Sequence, residues 1–181
     1  MKHIPNILSS LRIVMIPFFV WQMLTGNMLS AGLILLASGI TDTLDGQLAR
    51  HFGWISDLGK ILDPFADKLT QTAVSVCFII RFPELWIFFA VLIFKDAIMV
   101  MLGGYLTKGG VKIEGAKWAG KVATVVFYVV MISIVLFQSI PEWFTIAMLA
   151  LAVICALIAG LSYIPEFLRY MEQRKENSVK E

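Results

Sequence analysis

The sequence predicts an all-α, polytopic membrane protein with six transmembrane helices and with both termini in the cytoplasm. Three observations carry that expectation. Of 181 residues, 59% are hydrophobic and 15% charged, with a mean hydropathy of +0.81, which is neither a disordered chain nor an ordinary soluble domain. Six apolar segments, each near the roughly 20 helical residues that cross a bilayer core, follow one another with short connections. Lysine and arginine fall on alternate connections, as they do on cytoplasmic loops. Six spans leave no room for a large soluble domain, so any chemistry must use residues on the helices or on short loops. The formal net charge of +2 therefore says less than where the charges sit, and no nucleic-acid partner is expected.

The first segment, 4–24, is expected to be a retained helix and not a cleaved signal peptide. Arg12 and Pro17 interrupt its apolar run, and no small-residue cleavage site precedes Thr25-Gly26-Asn27. The second segment is 30–50 and the third 61–80. With the N-terminus inside, the uncharged connection 22–30 faces out and the connection 50–60 faces in. An outer connection with Arg81 and Glu84 leads to the fourth segment, 83–106, and an inner loop with Lys108, Lys112 and Lys117 leads to the fifth, 117–137. The sixth, 143–163, follows an outer connection without a basic residue. Residues 1–168 are read as one membrane domain, and 169–181, with Arg169, Arg174, Lys175 and Lys180, as a charged cytoplasmic tail. Turning the chain over would expose nearly every basic residue outside. Cys77 and Cys155 lack a metal-ligand spacing and are read as small core residues.

The informative stretch lies where the second segment ends and the third begins. Asp42 and Asp45 are three residues apart, and Asp63 and Asp67 four, so each pair lies on one face of its helix. The two helices run antiparallel, which brings both pairs to their cytoplasmic ends. Four facing carboxylates repel and are costly to desolvate. A divalent cation removes the conflict, and a set of hard oxygen donors suits Mg²⁺ or Mn²⁺, with two ions a good match to displacement at phosphorus. The competing view, that these are topology markers partly neutralised by Lys60 and Lys68, does not account for two pairs at helical spacing. Gly46 and Gly59 lie beside the pairs, where each costs a helix about 1 kcal/mol relative to alanine. Close approach of a ligand explains them there better than helix packing. Ala49 leaves room as well, Arg50 offers a planar fork for phosphate, and Ser56 offers either a hydroxyl to a nucleotide or a helix cap.

Together these residues fit the pattern Asp-x2-Asp-Gly-x2-Ala-Arg-x8-Gly-x3-Asp-x3-Asp in full. The chain resembles the CDP-alcohol phosphotransferases, six-span membrane enzymes that move a phosphatidyl or related group from a CDP-linked donor to an alcohol. The resemblance implies that Asp42, Asp45, Asp63 and Asp67 hold two divalent ions against the pyrophosphate of CDP-diacylglycerol. Asp42 and Asp63 would bridge both ions, Asp45 would complete one site, and Asp67 would serve the other and act as general base. Gly46, Arg50 and Ser56 match positions that contact the CDP part, with Ala49 and Gly59 as further candidates. A homodimer in the cell membrane, with its active site at the cytoplasmic face, is implied in the same way.

The opening Pro5-Asn6-Ile7-Leu8-Ser9-Ser10-Leu11-Arg12 resembles the Pro-Asn-x-Leu-Thr-x-x-Arg of bacterial phosphatidylglycerophosphate synthases and their cardiolipin synthase relatives. The run Leu62-Asp63-Pro64-Phe65-Ala66-Asp67-Lys68 is similar to the same branch. Both favour glycerol 3-phosphate, or another glycerol-phosphate acceptor, over serine or inositol phosphate. Further along, Lys95-Asp96 stands where that branch has Arg-Glu, and Ala123 stands where Gly-Lys-x-Lys-Thr has its second lysine. A phosphodiester such as phosphatidylglycerol, in a CMP-forming cardiolipin synthase, would need fewer cations. Lys95 and Lys121 are the candidates for the acceptor phosphate, because a charge within an apolar span needs a partner or a pocket. Pairing between Lys95 and Asp96 is expected to be poor, since helix neighbours point apart. An ion-coupled transporter is the alternative from another class; it predicts charges at the membrane midplane and related halves of the chain, and no repeat is visible.

Overall fold

The computed structural model describes residues 4–52, 57–108 and 117–162, with 164, 165 and 168. Six α-helices account for nearly all of them: α1 (Ile4–Leu24), α2 (Met28–His51), α3 (Asp57–Arg81), α4 (Trp86–Lys108), α5 (Lys117–Leu136) and α6 (Glu142–Leu161). A single 3₁₀ turn, Pro83–Leu85, joins α3 to α4. The six expected segments are therefore six helices. Four of them, α1, α4, α5 and α6, are long and apolar enough to cross a bilayer. α2 is apolar only over Met28–Leu44, and α3 carries charge along its first half. The two helices with broken apolar runs are the two that hold the aspartate pairs. α3 begins four residues before the apolar run that announced it, with Asp57 and Gly59 already in regular helix.

The connection between α1 and α2 is tight. Gly26 adopts φ +84°, a left-handed conformation that costs a residue with a Cβ about 1–2 kcal/mol. Asn27 N–H donates to the Gln22 carbonyl at 2.9 Å and Gly26 N–H to that of Met23 at 3.3 Å, closing the last turn of α1 in a Schellman arrangement.

Packing between helices orders them as a closed ring, α1, α2, α5, α6, α4, α3 and back to α1. Its interior is filled by Met23, Leu35, Val74, Phe78, Phe89, Met131 and Leu149, all essentially without exposure. Phe78 and Phe89 join α3 to α4 with ring centroids 5.1 Å apart, within the range of favourable aromatic pairs. Small residues let α2 approach α5: a Cβ on Gly32 would lie 2.4 Å from Leu136 Cδ2, and one on Gly39 3.3 Å from the Tyr128 ring. Large apolar residues such as Trp21, Phe94 and Trp143 are exposed on the outer surface, where lipid is the natural solvent. Cys77 is buried and free, as expected; Cys155 is free and only partly covered.

Candidate active site

α1 organises the carboxylates. Ser9 and Arg12, one helical turn apart, are both completely buried. Arg12 Nη1 lies 2.7 Å from Asp42 Oδ1 on α2, and Ser9 Oγ donates to Asp63 Oδ1 on α3. One face of α1 thus gathers an aspartate from each of the two signature helices. The negative charges of Asp67 and Asp63 both act on Asp42, so the three carboxylates share one electrostatic environment. The sequence predicted that Asp42 and Asp63 would meet; it did not predict which groups would hold them. The available signal was the pair of polar residues at i, i+3 inside an otherwise apolar span.

Asp67 is held from its own helix. Gln71 Nε2 donates to Asp67 Oδ1 at 2.9 Å and lies 3.5 Å from Thr124 Oγ1 on α5. Lys68 Nζ stands 3.6 Å from Asp67 Oδ2, donates to Gln71 Oε1 at 3.3 Å and pairs with Asp96 on α4 at 3.0 Å. Asp96 is buried and also takes the ammonium of its neighbour Lys95. This corrects the expectation that Lys95 and Asp96 would point apart. The lysine stem is long enough to fold back, and Asp96, facing α3, draws both ammonium groups to one carboxylate. Lys95 therefore sits in a polar chain, Lys95–Asp96–Lys68–Asp67, that links α4 to the aspartates. Lys121 is exposed on α5 and has no ion pair among the described residues, so the two lysines singled out in the sequence occupy different environments.

Two further hydroxyls lie below Asp42. Ser38, one turn away on α2, and Tyr128 on α5 are both buried, and the two hydroxyls lie close enough to interact with each other. The charges of Asp67 and Asp42 reach the Tyr128 phenol. Asp45, Gly46, Ala49 and Arg50 lie on the last turns of α2, but their side chains, like Ser56 and the surroundings of Gly59, are outside the described residues.

The donor set can be tested against the divalent ions that the sequence implies. Among the described residues, no three carboxylates converge closely enough to enclose an ion. Asp42, Asp63 and Asp67 each have one oxygen engaged by a protein donor, through Arg12, Ser9 and Gln71. The second oxygens of Asp42 and Asp63 accept no hydrogen bond among the described residues. Carboxylate oxygens are the hard donor type that Mg²⁺ takes.

These features define a helical membrane protein whose polar chemistry is concentrated on carboxylates gathered between α1, α2 and α3. The chain belongs to the CDP-alcohol phosphatidyltransferase family, whose sequence pattern matches residues 2–158. It is 34% identical over 141 residues to a putative cardiolipin synthase of Mycobacterium tuberculosis, covering 77% of this chain and 68% of that one. It is 39% identical over 129 residues to a CMP-forming cardiolipin synthase of Streptomyces coelicolor, covering 67% and 59%. It is 29% identical over 169 residues to a CDP-diacylglycerol–glycerol-3-phosphate 3-phosphatidyltransferase of Escherichia coli, covering 90% and 93%.

Proposed function

We propose that the protein transfers a phosphatidyl group from CDP-diacylglycerol to the hydroxyl of a glycerol phosphate and releases CMP, at the cytoplasmic face of the cell membrane. The observation that carries this reading is the attachment of Asp42 and Asp63 to one face of α1, with Asp67 one turn further along α3. Asp42, Asp45, Asp63 and Asp67 would hold two Mg²⁺ or Mn²⁺ ions. When bound, such ions offset the charge of a pyrophosphate and polarise the attacked phosphorus. Gly46, Ala49, Arg50, Ser56 and Gly59 would surround the CDP part.

Asp67 takes the proton from the acceptor hydroxyl as the new P–O bond forms and the bond from phosphorus to CMP breaks. Gln71 fixes the orientation of that carboxylate by occupying Oδ1 and leaving Oδ2 toward Lys68. Arg12 holds Asp42 and, through its positive charge, limits repulsion among the three aspartates before any cation arrives.

Glycerol 3-phosphate is the acceptor suggested by the opening motif and by the name of the E. coli relative. Phosphatidylglycerol is the second reading, and the Lys95–Asp96–Lys68 cluster favours it, since one buried carboxylate already absorbs part of the positive charge that a dianionic phosphate would need. Homodimerisation is part of the proposal through family resemblance. The test is an acceptor panel of glycerol 3-phosphate, phosphatidylglycerol, serine and inositol phosphate, supplied with CDP-diacylglycerol to the purified protein in vesicles. CMP and a new lipid, identified by mass, are expected with a glycerol-phosphate acceptor. Absence of CMP across the panel would overturn the assignment. A chelator is expected to abolish CMP release and added Mg²⁺ or Mn²⁺ to restore it.

A further inference from the structure

A groove of about 680 Å³ runs between α4 and α6, lined by residues that include Ile87, Val91, Phe94, Lys95, Leu157 and Gly160. That volume lies in the range of about 300–1,000 Å³ typical of ligand pockets. Three features set it apart from ordinary lipid-facing surface. Its α4 wall extends from Ile87 to Leu102 along one helix face, a length of about 22 Å at 1.5 Å per residue. Lys95 is the one charged residue in the described lining, and it belongs to the chain that leads through Asp96 and Lys68 to Asp67. Gly160 lines the groove beside the Lys95 stem; a methyl there would make ordinary contact with Lys95 Cγ at 3.5 Å, whereas a longer side chain would project into the groove.

A long apolar slot that opens sideways suits a hydrocarbon chain and offers little to a small soluble acceptor. A cation inside the slot suits a lipid that carries an anionic group. Gly46, Ala49, Arg50 and Gly59, proposed above to surround CDP, lie on α2 and the start of α3, whereas this groove lies on the other side of α3 in the helix ring, so it can take a second lipid while the donor is bound. The charges fit as well. Asp96 serves two ammonium groups, and once Asp67 is engaged in the reaction, the group of three carries one net positive charge, matching the single negative charge of a phosphodiester.

We infer that the α4–α6 groove seats an acyl chain of a phosphatidylglycerol acceptor and that Lys95 receives its phosphodiester, with the free glycerol hydroxyl directed toward Asp67. This assignment rests on the phosphatidyl-transfer reading above and names its acceptor. Lys95 is then a specificity-determining residue, and Gly160 marks a wall of the seat where a bulky side chain would compete with the chain.

The test uses the full-length protein in phosphatidylcholine vesicles with CDP-diacylglycerol and Mg²⁺, with CMP release followed as the phosphatidylglycerol fraction is varied. Lys95→Gln and Gly160→Leu should each raise KM for phosphatidylglycerol by about tenfold or more, as expected for loss of a charge-assisted contact or of the seat. Their KM for CDP-diacylglycerol should move far less. Lys95→Arg should recover most of the affinity, which a folding defect would not allow. A protein that makes CMP with glycerol 3-phosphate but never with phosphatidylglycerol overturns this inference and leaves phosphatidyl transfer standing. So does a phosphatidylglycerol KM indifferent to both substitutions, as for a groove covered by a second copy of the chain, or a rise confined to CDP-diacylglycerol, which would make it the donor's groove. No CMP with any acceptor removes both readings together.

Discussion

Arg12 has no exposure, while Asp42 keeps about a third of its side-chain surface, so the pair is a charge contact whose cationic half lies fully inside the bundle. Arg12→Met leaves Asp42 without that partner and is expected to cost about 3 kcal/mol, the low end for a broken buried pair because Asp42 still reaches solvent. Arg12→Met with Asp42→Leu should recover much of that stability and none of the CMP release; thermal denaturation in detergent together with activity separates the two effects. Asp67→Asn is expected to lower kcat by about 10²–10⁴, the usual contribution of a general base, while its melting point stays near that of the parent protein. Full activity in Asp67→Asn would remove it from the role of base. Spacing of three and four puts each aspartate pair on a common helix face, a property of each helix by itself, and that much is readable in the sequence. Ser9 and Arg12 were not, because their partners lie on other helices and the order of the ring is not written in local spacing. The Lys95–Asp96 contact was misjudged for the same reason: α4 read alone gives no sign that Lys68 of α3 stands opposite.

At the scale of elements, α2 packs tightly against α5 at Gly32. A methyl there would meet Leu136 Cδ2 at 2.4 Å and Cγ at 2.8 Å, so the leucine must turn away. Gly32→Ala is expected to lower stability by about 1–3 kcal/mol through overpacking, set against the gain of up to about 1 kcal/mol from replacing a helical glycine. Leu136→Ala in the same chain should reverse the loss, and failure of that rescue would place the constraint in the backbone. All six helices were legible from apolar length, with starts displaced by a few residues at α2, α3 and α4. α2 and α3 start earlier, at Met28 and Asp57, because helix continues beyond the apolar run, whereas α4 starts later, at Trp86, because Pro83–Leu85 forms a 3₁₀ turn.

For the whole molecule, the closed ring of helices makes the candidate site a product of three of its members and leaves α4 and α6 to form a separate lipid-sized groove. The orientation proposed for it has a direct check. A Ser178→Cys variant should react with a membrane-impermeant maleimide only when the cytoplasmic face is opened, over the background of Cys77 and Cys155; labelling from the outside would invert the topology. The family and the overall class could be read from composition and one motif, whereas the acceptor depends on how α3, α4 and α6 meet, which no single segment encodes.

The contact between Arg12 and Asp42 also bears on how the protein is made. α1 leaves the ribosome before α2, and an arginine near the centre of a membrane helix adds about 2.5–3.5 kcal/mol to its insertion. The matching carboxylate arrives with α2, across a connection of only Thr25, Gly26 and Asn27. α1 and α2 are therefore suited to enter the bilayer as one hairpin, with the counter-charge delivered before the first helix is released into lipid. Lengthening that turn with a polar linker should slow insertion and increase early degradation in a pulse-chase measurement, even if the finished enzyme retains its activity.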